Sequence, residues 1–367
     1  MKICRIETFS TRPVAMVRVT TDDGREGFGQ VAPFNADITS LVLHRQIAPH
    51  VLGKTIESPA DLEAISDCCI DANLKFPWSY TCRALAGVDT AIWDLLAREA
   101  DMSVAELLGG TRRELAAYGS SMSRSITPED EAARLARLRD EQGFSAFKIR
   151  VGKPAGHDCD AWPGRSEAIV PAVRQAVGDN VRLLVDANSC YTPPRAIEVG
   201  HMLEDHGVIH FEEPCPYWEL EWTAEVNAAL DLDVAGGEQD NDLAQWRRMI
   251  RMDAVDIVQP DVCYVGGITR ALRVARMAAD AGKPCVPHSA NLSMVTLFAL
   301  HMMLAIENRG PYLEFCIEDT AWAADLFEPA MKVVDGCAAI TGEPGWGVRI
   351  NQAWLDQAER AVSAVEG

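Results

Sequence analysis

The chain has 367 residues, 48% hydrophobic and 24% charged, a globular balance that excludes a disordered chain and leaves room for a barrel plus a smaller domain. Its formal charge of −20 would repel nucleic acid and anionic membranes, so neither is expected as a partner. The 11 cysteines are odd in number and lack zinc-ribbon or C-x-x-C spacing, so they read as reduced thiols in a cytoplasmic protein.

The N-terminus carries early charges and no signal-peptide core. Residues 3–9 and 14–20 alternate as a hairpin around the short turn Ser10-Thr11-Arg12-Pro13. A second turn, Thr21-Asp22-Asp23-Gly24, is followed by residues 27–30, which should lead into a third strand. Helical spacing follows over 59–71 and 81–98, and the latter is apolar on most faces, as expected between two layers. From about residue 115 the pattern becomes strand, loop, helix, repeated. Strands are predicted at 115–120, 146–151, 182–186, 208–212, 234–238, 257–260, 284–287 and 312–315, with helices such as 128–142, 167–177, 194–206, 242–252 and 269–281 between them. Residues 153–165 read as an irregular insertion, and 294–306, with His301 inside it, as a buried barrel helix too short to cross a membrane. After residue 314 a turn-rich tail begins.

This alternation predicts an α/β fold with a modified (β/α) TIM barrel over residues 115–320. An α+β N-terminal capping domain would span 1–114 and be completed by a C-terminal segment, 321–367, packing back on it. An open doubly wound sheet is the alternative, but polar residues end so many strands that closure is favoured.

Those strand ends carry the chemistry. Asp186, Glu212 and Glu238 recur at 26-residue steps, each in or just after a short apolar run. Any one alone would be read as a solvated or helix-capping carboxylate. Three at matched positions on consecutive strands offer hard oxygen ligands suited to Mg²⁺ or Mn²⁺ rather than zinc. Lys148 and Arg150 share one face of a strand and need an anion there. Asp261 and His288 end neighbouring strands, an arrangement that fixes an imidazole tautomer and raises its basicity. Glu314 closes the series. The glycine pair at 266–267 opens a helix but lacks the lysine and spacing of a P-loop.

With Val185-Asp186-Ala187-Asn188, Phe211-Glu212-Glu213-Pro214, Gly237-Glu238, Gln259-Pro260-Asp261, Gly266-Gly267, His288 and Glu314, nearly the whole chain resembles the enolase superfamily, in particular its mandelate racemase group. The resemblance implies Mg²⁺ on Asp186, Glu212 and Glu238, with Glu213 behind Glu212. It also implies abstraction of the proton alpha to a carboxylate, giving an enediolate; a histidine or lysine base beside Mg²⁺ is a known pairing in this superfamily. The racemases of the group resemble K-x-K where this chain has Lys148-Ile149-Arg150. Arginine is a poor proton acceptor, which makes a two-base racemase harder to build. The expectation is therefore a lyase, an acid-sugar dehydratase yielding a 2-keto-3-deoxy acid. His288 would be base and acid, Asp261 its orienter, Lys148 the carboxylate contact, Arg150 an anion contact, and Glu314 a hydrogen-bond partner of the substrate carboxylate. Asn188, Phe34, Asn35 and Asp37 are the expected substrate-binding residues, with Lys75 and Trp78 as weaker candidates. A racemase or epimerase of a hydroxy acid or amino acid derivative is the alternative, with Lys148 as second base. The expected partner is a small carboxylate, and a homo-oligomer is expected from the resemblance.

Overall fold

A computed structural model describes residues 1–365. The chain opens with three antiparallel strands, β1 (Ile3–Ser10), β2 (Ala15–Thr21) and β3 (Glu26–Gln30). The β1–β2 turn is tight: Thr11 N–H donates to the Val14 carbonyl at 2.9 Å. The sheet packs on the helix Trp78–Glu99, in which every residue from Thr81 to Ala97 except Arg83 is buried. Gly29 allows that close approach. A Cβ there would meet Ala91 N and Gly87 O at 2.5 Å each, so no side chain fits.

The barrel strands are β4 (Leu115–Ser120), β5 (Ala146–Arg150), β6 (Arg182–Asp186), β7 (Val208–Glu212), β8 (Asp233–Gly236), β9 (Ile257–Val258) and β10 (Leu313–Cys316). They are parallel and curl in the order β10-β4-β5-β6-β7-β8-β9. The strand expected at 284–287 forms no ladder. Cys285 makes single parallel bridges to Val258 and Arg309, and His288 one to Asp261. Pro284 and Pro287 have no N–H to give, so only Cys285, Val286 and His288 donate to neighbours, although the Pro284 carbonyl accepts from Val258 N at 3.0 Å. This broken segment still spans the gap between β9 and the entry to β10.

Outer helices start and stop where local chemistry allows. The helix Pro128–Gln142 begins after Thr127, whose Oγ1 accepts from Asp130 N at 3.1 Å, and ends at Gly143 with φ 75°. The helices Ala36–Val42 and Leu220–Ala229 had no clear sequence signal. Met294–Ala305 is buried from Met294 to Leu304. Its His301 accepts from Ala105 N at 3.1 Å and donates to the Trp346 carbonyl at 3.3 Å; burial pulls its pKa down to about 3. No helix among the described residues is long and apolar enough to cross a membrane.

The tail carries the short strands β11 (Phe327–Glu328), β12 (Cys337–Ala338) and β13 (Arg349–Ile350), then β14 (Glu359–Ala364). β14 pairs antiparallel with β1, giving a four-stranded cap sheet ordered β14-β1-β2-β3. Buried Glu7 holds it there by accepting from Arg18 and Arg360. Trp346 wedges between cap and barrel, with its indole N–H shared by the Phe28 and Thr90 carbonyls at 3.1 Å. Gln30 crosses the same seam, donating to Ser293 Oγ at 2.9 Å and accepting from Met294 N at 3.1 Å.

Candidate active site

The C-terminal ends of the barrel strands gather the acidic residues into one centre beneath the cap. Asp186, Glu212 and Glu238 are buried, with ligand oxygens all within 4.8 Å of one another. Backbone geometry aims them. Asp186 and Glu212 are the last residues of β6 and β7, opposite each other in register. β8 stops at Gly236, and Gly237, at φ 109°, turns the chain so that Glu238 points inward.

The oxygens of Glu212 are divided between two tasks. Oε2 receives Lys148 Nζ at 2.7 Å and Gln259 Nε2 at 2.9 Å, with His210 Nε2 at 3.3 Å. Oε1 is buried and accepts nothing from the described residues. A buried carboxylate oxygen without a donor is costly unless a cation meets it. Around the centre, Lys148, Arg150 and His288 face the carboxylates of Asp186, Glu212, Glu238, Asp261 and Glu314. Even with His288 protonated, five carboxylates outnumber the cations that face them, an excess of negative charge that suits a divalent ion. The residues therefore fit a hard divalent metal, and Asp186, Glu212 and Glu238 are its ligands. Glu213 stands behind them at φ 41°, its carboxyl pushed well up by burial and by Glu238 and Glu212.

Lys148 is wholly buried between Glu212 Oε2 and Glu314 Oε1, 2.7 Å from each. Burial alone would depress its pKa, but the two carboxylates outweigh burial and hold the ammonium well above the ordinary lysine value. Glu314 is otherwise engaged by Ser120 Oγ at 2.8 Å and Ser289 N at 2.7 Å. Arg150 pairs with Asp186 and also donates to the Ser121 carbonyl at 2.8 Å and Asn188 Oδ1 at 3.1 Å. Its anion is thus a metal ligand of the protein itself. Asn188 is committed in the same way. At φ 43° it gives its backbone N–H to Asp186 Oδ1 at 2.7 Å and its amide to Oδ2 at 3.1 Å. That left-handed backbone is the kind of local strain that buys side-chain placement.

Asp261 Oδ1 caps the next turn, accepting from Cys263 N at 2.7 Å and Tyr264 N at 3.0 Å, while Oδ2 takes His288 Nδ1 at 2.8 Å. An ionised Asp261 makes Nδ1 the donor and leaves Nε2 facing the metal ligands, 3.2 Å from Glu238 Oε2. Burial would lower the His288 pKa, but Glu238, Asp261 and Glu314 lift it to about 10. Glu238 is the largest of those charges and one of the carboxylates a metal would neutralise.

Of the expected cap residues, Phe34 and Asn35 line the mouth, both at positive φ (64° and 50°). Asp37 is exposed in the first turn of Ala36–Val42 and is not among the lining residues. Lys75 is exposed and Trp78 packs on the core; their neighbours Ser79, Tyr80 and Arg83 reach the mouth instead. Sequence reasoning also missed Tyr217 and Trp218 after β7, the segment Gln239–Asp242 after Glu238, and Trp322, whose ring meets Phe34 edge-on at 5.7 Å. The exposed aromatic pair Tyr217-Trp218, directly after the Glu-Glu-Pro run, was the signal available.

A capped barrel with three convergent carboxylates and an Asp–His pair defines a metal-dependent enzyme that works by acid–base chemistry on a small ligand. Residues 2–109 match the mandelate racemase/muconate lactonizing enzyme N-terminal domain, and residues 130–354 the enolase C-terminal domain-like family. The chain belongs to the enolase superfamily, in its mandelate racemase/muconate lactonizing enzyme group. It is 56% identical, with a TM-score of 0.97 and 100% coverage of both chains, to a crystal structure from Roseobacter denitrificans provisionally named a racemase. It is 28% identical, with a TM-score of 0.85 and coverage of 100% of this chain and 99% of the other, to L-talarate dehydratase from Polaromonas sp. JS666 complexed with Mg and L-glucarate. It is also 28% identical to arabinonate dehydratase of Saccharolobus solfataricus over 363 residues, 96% of this chain and 92% of the relative. Magnesium in such a relative agrees with the donor set of Asp186, Glu212 and Glu238.

Proposed function

We propose that the protein is an acid-sugar dehydratase, removing water from a sugar acid to give a 2-keto-3-deoxy acid. One observation carries the choice. The second cation of β5 is an arginine fixed on Asp186, Asn188 and the Ser121 carbonyl, so the base position that a racemase needs opposite His288 is filled by a group that holds its proton. Dehydration needs only one proton shuttle.

A divalent ion on Asp186, Glu212 and Glu238 supplies positive charge where the substrate carboxylate gains negative charge. Lys148, kept protonated by Glu212 and Glu314, adds a second fixed charge beside it. Asp261 keeps the proton on Nδ1 of His288, so Nε2 accepts the proton from the carbon alpha to the carboxylate. The electron pair of that C–H bond forms the carbon–carbon double bond as the β C–O bond breaks. His288 returns its proton to the departing hydroxyl, water leaves, and the enol product tautomerises to the ketone. Arg150 and Asn188 hold Asp186 in place, and Glu314 orients Lys148.

Racemisation is the second reading, favoured by the provisional name of the 56%-identical Roseobacter protein. It would require Lys148 to surrender a proton that two carboxylates hold. Incubating the Mg²⁺-loaded enzyme with aldonic and aldaric acids in D₂O separates the two. A carbonyl product supports dehydration; alpha-deuteration with inversion and no carbonyl product refutes it. His288→Asn should abolish dehydration, and retained turnover would remove His288 as the base.

A further inference from the structure

Between the cap and the barrel mouth lies a cavity of ≈ 630 Å³. It adjoins the reacting centre through two side chains. Gln239 Nε2 donates to Glu238 Oε1 at 3.0 Å, and the Tyr264 ring lies 6.2 Å from the His288 ring. None of the metal ligands lines it, so a substrate whose carboxylate reaches them would pass Gln239 and Tyr264 to place its far end in this space.

Among the described residues, one cation of the cavity has no carboxylate and one carboxyl oxygen has no donor. Arg83 is the one cation among its lining residues. It lies on the cap helix that is otherwise buried from Thr81 to Ala97, and its guanidinium sits 3.5 Å over the Tyr264 ring. Stacking fixes the plane of the guanidinium and brings the Tyr264 hydroxyl beside it, but no carboxylate among the described residues pairs with it. The other cations of the site, Lys148 and Arg150, each have a carboxylate. Asp240, 8% exposed, lines the same cavity, and its buried Oδ2 has no hydrogen bond among the described residues. Amides from Gln239, Asn241 and Gln245 complete the polar wall.

We propose that Arg83 and Asp240 form the distal subsite, and that the substrate is a sugar acid with a carboxylate at each end, an aldaric acid. This rests on the sugar-acid reading above and narrows it. Asp240 accepts hydroxyls of the carbon chain, a role that needs a buried acceptor without a donor of its own. Arg83 receives the terminal carboxylate through its planar fork. A neutral terminal hydroxymethyl group would leave the guanidinium partly desolvated beside Tyr264, with no carboxylate in ion-pair contact. Asp242 on the same wall makes a free second carboxylate unwelcome except where Arg83 meets it, which fixes the orientation of the chain.

The test compares kcat/KM for an aldarate, the aldonate of equal chain length and its terminal phosphate ester, using the Mg²⁺-loaded enzyme, Arg83→Met and Arg83→Lys. The wild type should favour the aldarate by roughly 100-fold, and Arg83→Met should shrink that ratio by roughly 30-fold or more. Arg83→Lys should restore part of it. Equal losses on all three acids would assign Arg83 to packing and overturn the proposal. A wild type that prefers the aldonate or the phosphate ester overturns it as well. Calorimetric binding of the aldarate separates this proposal from the reaction assigned above. Arg83-dependent binding without turnover of any sugar acid would sink the dehydration reading and keep the subsite. Dehydration of aldonates with no aldarate binding would sink the subsite alone.

Discussion

Replacing Lys148 by methionine tests the electrostatic logic of the centre without touching a metal ligand. Methionine keeps most of the apolar stem and removes the ammonium. Two carboxylates then lose their counter-charge at once, Glu212 and Glu314, each 2.7 Å from Nζ and no more than 1% exposed. Breaking a buried pair by removing one partner costs about 3–5 kcal/mol, because an uncompensated charge stays behind. In EDTA the variant should be less stable than wild type by about that amount in urea unfolding. Magnesium should narrow the gap, since an ion on Glu212 takes over half of what Lys148 did. Glu314 remains unpaired, so the gap should not close. At magnesium near 100 times its Kd, binding itself stabilises either protein by about 2.7 kcal/mol. A variant within about 1 kcal/mol of wild type in EDTA would refute the assignment of Lys148 as the principal counter-ion of the two glutamates.

Two further outcomes are expected. Asp89, buried at the start of the helix Ile268–Asp280 where it accepts from Thr269 N at 3.2 Å, has its pKa raised to about 7 by burial. The unfolded chain loses that proton near pH 4, so Asp89 makes stability fall as pH rises from about 4 to 7 and adds no slope above that. Asp89→Asn should flatten this part of the stability–pH curve by an amount on the order of a few kcal/mol, read from urea midpoints; an unchanged slope would contradict it. Gly237→Ala should weaken magnesium binding roughly 10-fold or more and cost about 1–3 kcal/mol, because a Cβ at φ 109° would run into the Trp246 ring beside Glu238. Isothermal titration at wild-type affinity would show that Glu238 needs no such turn.

The chain order of elements was largely legible. Helix 128–142 coincides with Pro128–Gln142, because Thr127 caps it and Gly143 ends it, both local signals. The strand at 284–287 was not, since its apolar pattern is that of a strand while its two prolines deny it a ladder. Arg150 was legible as a cation in the site, but not that its anion would be Asp186, a partner 36 residues away and one strand over. Asn188 likewise reads as a substrate contact until both ends of its amide are seen bound to Asp186 and Arg150.

What the sequence determined by itself was the metal centre and its family. Asp186, Glu212 and Glu238 recur with the period of a strand–helix unit, and equivalent positions in a parallel barrel must converge at one end. What only the tertiary structure decided was the mouth. Arg83 comes from a cap helix, Tyr264 from the short helix Val262–Val265, Asp240 from a barrel loop, and Phe34 and Trp322 from opposite ends of the chain. Their meeting follows from how the cap lies on the barrel, a packing fixed by Gln30, Trp346 and the β14–β1 pairing, and no local period encodes it.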